Sequence, residues 1–241
     1  MLVLRSLALA AVCLIGCTNC TAHAPSTSAP AVTHLEPGEL TFDPEPLGWS
    51  FDLELEAPAP TLPEDPCQIP VREFDATSVE HVLGAIQQRV DEGEDVIPIQ
   101  INSFGGSVFG GLDLMQGMDE HRKRGVTFIC TVDSKAMSMG FVLLQGPCDV
   151  RQATPRSTLL AHNASLRETG GNANELLESV EILEALDDGM AEIVATRMGL
   201  SVEEYELILS TRAWTMSARM GLAENALDDL VDPLSTLPVC W

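Results

Sequence analysis

Val96-Ile97-Pro98-Ile99-Gln100-Ile101-Asn102-Ser103-Phe104-Gly105-Gly106-Ser107-Val108 is the stretch on which the fold turns. Val96–Ile101 is a compact apolar run, the pattern of a strand buried on both faces. Two glycines then open a turn, and Val108 to His121 reads as a helix. Glycines at a strand-to-helix junction let backbone N–H groups face an anion or an oxyanion. The turn is not a phosphate loop of the G-K-[ST] kind, because the only lysines are Lys123 and Lys135.

The pattern continues on both sides. Upstream, a short strand is predicted near Ile69–Phe74. Thr77 or Ser78 is placed to cap a helix whose apolar stripe is Val79, Val82, Leu83, Ile86 and Val90. Downstream, Val126–Val132 reads as a strand, Phe141–Leu144 as the start of an apolar helix and Thr158–Ala161 as a short strand. Residues 173–198 form a long helix with Leu176, Leu177, Val180, Leu183, Leu186, Met190, Ile193 and Val194 on one side. Ser201 and Glu204 make a capping box for the next helix, and Ser217 can cap a last one. Strands alternating with helices predict an α/β domain of βαβ units. Phe51–Glu56 alternates with period two and predicts a further strand.

The amino-terminal residues read differently. Arg5 is a short basic region and Leu7–Ile15 an apolar run, too short to span a bilayer, which needs about 20 residues. The run ends Leu14-Ile15-Gly16-Cys17, which resembles the lipobox of bacterial lipoproteins. That resemblance implies cleavage before Cys17, a lipid on Cys17 and a membrane-attached, exported protein; ordinary secretory cleavage after Ala24 is the alternative. Residues 17–48 are rich in Ala, Pro, Ser and Thr and read as an extended tether. The organisation is thus a signal over residues 1–16, a tether over 17–48 and a domain over 49–241.

The 241 residues hold 13 Lys+Arg against 36 Asp+Glu, a net charge of −23. Nucleic-acid binding is excluded, because phosphate backbones need a basic patch. Arg122-Lys123-Arg124 reads as a solvated helix end. His81 and His121 read as surface residues, and His23 and His34 fall in the tether. Seven cysteines allow disulfides in an exported chain, but the pairing is open. No C-x-x-C pair follows Cys17 and histidines are few, so no metal and no cofactor is expected.

Two further positions point to chemistry. Ser138, in Ala136-Met137-Ser138-Met139-Gly140, opens an apolar helix, where the dipole and free N–H groups stabilise an oxyanion. A helix-capping serine is the structural alternative. His162 ends the apolar run Ser157–Ala161 and is a candidate general base for Ser138; a core histidine is the alternative.

Taken together, these elements resemble the Clp protease proteolytic subunit. That family carries Ile-Asn-Ser-Pro-Gly-Gly, then Ala-Ser-Met-Gly, then a His at a strand end. The matches are Ile101-Asn102-Ser103-Phe104-Gly105-Gly106-Ser107-Val108, Ser138-Met139-Gly140, and Pro155 seven residues before His162. Met216-Ser217-Ala218 with Gly221-Leu222 and Val231-Asp232 matches the family's closing motif, so the likeness covers roughly residues 67–232. It implies a ClpP-like, crotonase-like fold of repeated ββα units with residues 173–198 as a "handle" helix. It also implies a serine peptidase with Ser138 as nucleophile, His162 as general base, and the backbone N–H groups of Gly106 and Met139 as oxyanion hole. Peptide or unfolded polypeptide would be the substrate, and a homo-oligomer, in rings, the assembly.

The chain departs from the pattern. The family's third residue, an Asp just before Met-Ser-Ala, falls in Thr211-Arg212-Ala213-Trp214-Thr215, which has no acid. Glu206, Asp228 and Asp229 are the substitutes on offer. Phe104 replaces the motif Pro, and Asn163-Ala164 replaces the Gln-Pro after the His. A catalytically weak or inactive binding and assembly module is therefore the alternative function. A Ser-Lys peptidase would need Lys135 or Lys123 as base, and an acyl-CoA enzyme of the same superfamily would need CoA outside the cytoplasm.

Overall fold

The computed structural model describes residues 67–166, 170–233 and 237–240, all within the second of two compact units, which spans residues 56–241. The predicted signal, Cys17, the tether and the Phe51–Glu56 strand lie outside the described residues.

The fold is α/β, with elements in the order β1 (Ile69–Val71), α1 (Ala76–Asp91), β2 (Val96–Ser103), α2 (Val108–Arg122), β3 (Thr127–Met137), α3 (Met139–Gln145), β4 (Val150–Ala153), β5 (Thr158–Ala161), α4 (Ala173–Met198), α5 (Val202–Leu209), β6 (Trp214–Ser217), α6 (Ala218–Ala223) and β7 (Asp229–Leu230). The strands form one sheet, with β1-β2-β3-β4-β7 along its main path. Every pair is parallel except β5 with β6. Ile97, Ile99 and Ile101 of β2, alternate residues on one face of the sheet, are fully buried, each contributing about 1.5–3 kcal/mol of burial.

Strand β3 is longer than its apolar run predicts, and the reason lies in its far edge. Ile129–Val132 pairs with β4, whereas Lys135–Met137 pairs with β5. At the change of partner the ladder is interrupted, and the 154–157 turn fills the gap. Thr154 Oγ1 donates to the Asp133 carbonyl at 2.7 Å and Ser157 Oγ to the Val132 carbonyl at 2.8 Å. Both side chains are buried, so no backbone acceptor is stranded there. The switch carries the end of β3 away from β4 and towards β5, which places Ser138 beside the end of β5.

Several elements differ from their predicted form. Asp75, rather than Thr77 or Ser78, caps α1, accepting from the Ser78 N–H at 3.0 Å and from its hydroxyl at 2.7 Å. Ser78 is a donor in the cap rather than its acceptor. His121 is buried, not on the surface. It faces inward with Met118 at the end of α2, and its Nδ1 lies 3.2 Å from Arg124 Nη2. Arg122 is not free in solvent either: it bonds to Asp149 at 2.7 Å and Asp119 at 3.0 Å. The capping boxes Asn172–Glu175 and Ser201–Glu204 are both formed.

Helix α4 has the predicted bounds but only half the predicted burial. Met190, Ala191, Val194, Ala195 and Met198 are buried, whereas Leu176, Leu177, Val180 and Ile182 are exposed. Its amino-terminal half projects beyond the core. Two disulfides tie the domain: Cys67–Cys240, with Cα atoms 5.1 Å apart, and Cys130–Cys148, at 5.7 Å. The first is accompanied by Gln68–Val239 bridging, which pins the carboxy-terminal segment beside β1.

Candidate active site

Ser138 follows β3 directly and precedes α3. Its backbone is at φ 52°, ψ −124°, a conformation that a non-glycine residue adopts at a cost of about 1–3 kcal/mol. The surroundings hold it there: its N–H donates to the Leu160 carbonyl at 2.8 Å and its carbonyl accepts from Phe141 and Val142. The side chain makes no capping bond to α3, so the helix-cap alternative does not describe it. Its hydroxyl has no hydrogen-bond partner among the described residues. As first residue of α3, Met139 has an N–H with no intrahelical acceptor.

The glycine turn packs against this point. Gly105 has φ 98°, which favours glycine, and approaches so closely that an added Cβ would lie 2.6 Å from Ser138 Cβ. The turn is anchored by Ser103, whose hydroxyl donates to the Arg72 carbonyl at 2.6 Å and accepts from the Gly105 N–H at 3.0 Å. Gly106 follows, and its N–H has no acceptor among the described residues. The glycine turn, Ser138, the start of α3 and the end of β5 are thus drawn to one place.

His162 stands at the end of β5, on the strand beside Ser138, because Met137 pairs with Leu160. It is half-exposed, which rules out the core-histidine alternative. Its Nδ1 lies 2.6 Å from the Asn163 carbonyl oxygen. A carbonyl only accepts, so Nδ1 carries a proton, and in the neutral ring the lone pair is on Nε2. No hydrogen bond joins His162 to the Ser138 hydroxyl in this structure.

The acids divide clearly. Asp228 is committed to Arg151, which is buried: its carboxylate meets Arg151 Nη2 at 2.5 Å and the Arg151 N–H at 2.7 Å. Burial alone would raise the Asp228 pKa, but the Arg151 hydrogen bonds and charge outweigh it and hold it below the usual carboxylate value. Asp229 is exposed on β7, paired with Gln152 of β4, on the branch of the sheet that leads away from β5. Neither meets His162. Glu206 does line a cavity of about 270 Å³ together with His162, and so does Asp187 of α4. Asp187 accepts from the Ala164 N–H at 2.6 Å. Burial raises its pKa, against the lowering effect of that N–H and of the His162 charge. No motif flags Asp187. The sequence signal is its spacing, four after Leu183 and three before Met190, which puts an acid on the apolar stripe.

Lys135 turns elsewhere: Nζ bonds Asn102 Oδ1 at 3.0 Å and lies 4.3 Å from the centre of the Phe104 ring. Among the described residues no group of three or more His, Cys, Asp or Glu could hold a metal ion. A larger cavity, about 700 Å³, runs from the glycine turn past Phe74 to Ala164–Leu166 and Leu186.

Residues 68–230 match the family model described as Clp protease. The chain belongs to that family. One relative is the "ATP-dependent Clp protease proteolytic subunit" of Deinococcus radiodurans, 31% identical over 140 residues. The alignment covers 58% of this chain and 66% of the relative, so the chain spans slightly under two thirds of that protein's length. The Clp protease match takes in the glycine turn, Ser138, His162 and Met216-Ser217-Ala218 together, and ends within β7.

Proposed function

We propose that this chain is a serine peptidase of the Clp protease type, exported and held at a membrane by a lipid on Cys17. The observation that carries the reading is the strained backbone of Ser138, with its hydroxyl unbonded and the Gly105-Gly106 turn packed against it. Strain of this kind persists where the surrounding structure over-determines it, and it clusters at sites of reaction. In this reading Ser138 Oγ attacks a peptide carbonyl and His162 Nε2 takes its proton. The oxyanion is met by the N–H groups of Gly106 and Met139. His162 then returns the proton to the leaving amine, and water hydrolyses the acyl-enzyme by the same route. The 700 Å³ cavity beside the glycine turn offers room for an extended peptide.

Export is supported by the two disulfides, which persist in oxidising compartments. Attachment would depend on the lipid, because a chain of charge −23 is repelled by anionic surfaces. The exposed leucines of α4 are suited to association with further copies, in keeping with a homo-oligomer. Short or already unfolded peptides are the substrates proposed, since the sequence holds no phosphate-loop motif of its own.

Labelling with a fluorophosphonate tests the activity: an adduct on Ser138, absent from Ser138→Ala, is expected, and no adduct on folded protein refutes it. Intact mass of the amino-terminal peptide from membranes tests the anchor, with Cys17→Ala released to the soluble fraction. A second reading, a binding or assembly module without activity, is favoured by the absence of a Ser138–His162 hydrogen bond and of an acid before Met216. It predicts that Ser138→Ala changes no peptidase signal.

A further inference from the structure

The antiparallel pairing of β5 with β6 matches Ala161 with Trp214. Continued by one residue, that register would set His162 against Ala213, whose methyl group offers nothing to a ring nitrogen. The hydrogen bond from His162 Nδ1 goes instead to the Asn163 carbonyl at 2.6 Å. The other end of that same peptide unit is the Ala164 N–H, and it donates to Asp187 Oδ1, also at 2.6 Å. The 163–164 peptide is trans, so its carbonyl and N–H point to opposite sides of the unit. One peptide group therefore lies between the imidazole and a carboxylate, bonded to both.

We infer that Asp187 is the positioning residue for His162, acting through the 163–164 peptide in place of the missing acid. The inference rests on the peptidase reading of Ser138 and His162. A carboxylate accepting the N–H makes a charge-assisted bond that fixes the plane of the peptide. It also polarises the carbonyl, strengthening it as acceptor for Nδ1–H. The ring is held in the tautomer that leaves Nε2 free to take a proton. When that proton arrives, the imidazolium is stabilised by the polarised carbonyl and, at longer range, by the Asp187 charge. No ion pair joins the two side chains directly, so the peptide is the link. The arrangement draws on α4, whose Asp187 reaches the segment just after the histidine.

Other acids face the same cavity: Glu184 and Asp188 from α4, and Glu206 from α5. None of them has a hydrogen bond to the 162–164 segment among the described residues. Their charges are common to the wild type and the Asp187 variants, so a comparison of those chains cancels them.

The experiment compares wild type with Asp187→Asn, Asp187→Glu and Glu206→Gln in the full chain. Asn keeps an acceptor for the Ala164 N–H but removes the charge. The expected result is a fall in kcat of about 10²-fold with KM little changed. The acidic limb of the kcat/KM profile moves to lower pH, as expected for a base that has lost a nearby anion. Asp187→Glu keeps the wild-type limb, Glu206→Gln moves it less than Asp187→Asn, and Ala213→Asp in the Asp187→Asn chain restores kcat by supplying an acid across the β5–β6 pair. Titration of the His162 ring by nitrogen NMR reads the same shift with no substrate present. That separates the two ideas: a chain inactive in every form whose His162 titration still shifts in Asp187→Asn refutes the peptidase and keeps the coupling. An Asp187→Asn chain with wild-type kcat, pH profile and His162 titration overturns the inference while Ser138 remains the nucleophile. If Asp187→Asn fails to fold, the Asp187→Glu chain decides: a wild-type limb supports the inference, and a limb displaced as though the charge were lost overturns it.

Discussion

Gly105 lies so close to Ser138 that a single methyl group cannot fit between them: an added Cβ would stand 2.6 Å from Ser138 Cβ and 3.0 Å from its Oγ. The glycine turn and the serine are one construction, although 33 residues separate them in the chain. Gly105→Ala carries two penalties, the contact and a φ of 98°, and is expected to destabilise by about 2–4 kcal/mol. Thermal unfolding reads the loss, and fluorophosphonate labelling of whatever remains folded should be abolished.

Ser138→Gly should do the reverse to stability. Glycine adopts φ 52°, ψ −124° without strain, so relief of about 1 kcal/mol is expected. The midpoint of urea unfolding should rise while every trace of Ser138 labelling disappears. A fall in the midpoint would mean that the serine backbone is not strained.

Arg151 and Asp228 form the charged tie between β4 and the approach to β7. Arg151 is buried, so Asp228→Ala leaves a cation without its partner. A loss of about 2–3 kcal/mol is expected, less than for a fully buried pair because Asp228 is a third exposed. Circular dichroism during denaturation measures it.

The pH dependence of stability has two parts. Burial, with Arg124 nearby, holds the His121 pKa below the ordinary histidine value. Its contribution is complete above the unfolded value, about 6.5, and is lost as pH falls through the lower folded value. Asp228 also has a depressed pKa, so its contribution is complete above about 4 and is lost on further acidification. Urea midpoints from pH 8 to pH 3 should fall in these two stages. His121→Gln should remove the first and Asp228→Asn the second.

Reduction should cost more at one disulfide than at the other. Cys67–Cys240 closes 173 residues and Cys130–Cys148 closes 18. The chain-entropy model gives about 5 and about 3 kcal/mol respectively. Melting of Cys67→Ala with Cys240→Ala, against Cys130→Ala with Cys148→Ala, tests the order.

The sequence was informative wherever a local rule applied. The apolar run of β2 and the stripe of α1 follow from periodicity alone, and the capping box of α5 from residues three apart. The positions of Ser138 and His162 followed from motifs at strand ends. The reading failed where a residue's role depends on a distant partner. His121 resembles any histidine near a charged helix end, and its burial depends on what packs over α2. Strands β4, β6 and β7 are two to four residues long and, unlike the equally short β5, carry no apolar run to announce them.

By itself, then, the sequence determined an α/β chain with glycine turns after its strands, a serine at one helix start and a histidine at one strand end. These are properties of neighbours along the chain, set by backbone preference and hydrophobic period. Only the tertiary structure told the candidate acids apart. The partner switch of β3 brings β5 beside Ser138, and α4 crosses to place Asp187 on the peptide after His162. Asp228, an equal candidate on paper, is drawn off by a buried arginine on another branch of the sheet. Carboxylates of one kind are indistinguishable in sequence; their burial, partners and distances, which depend on packing, set them apart.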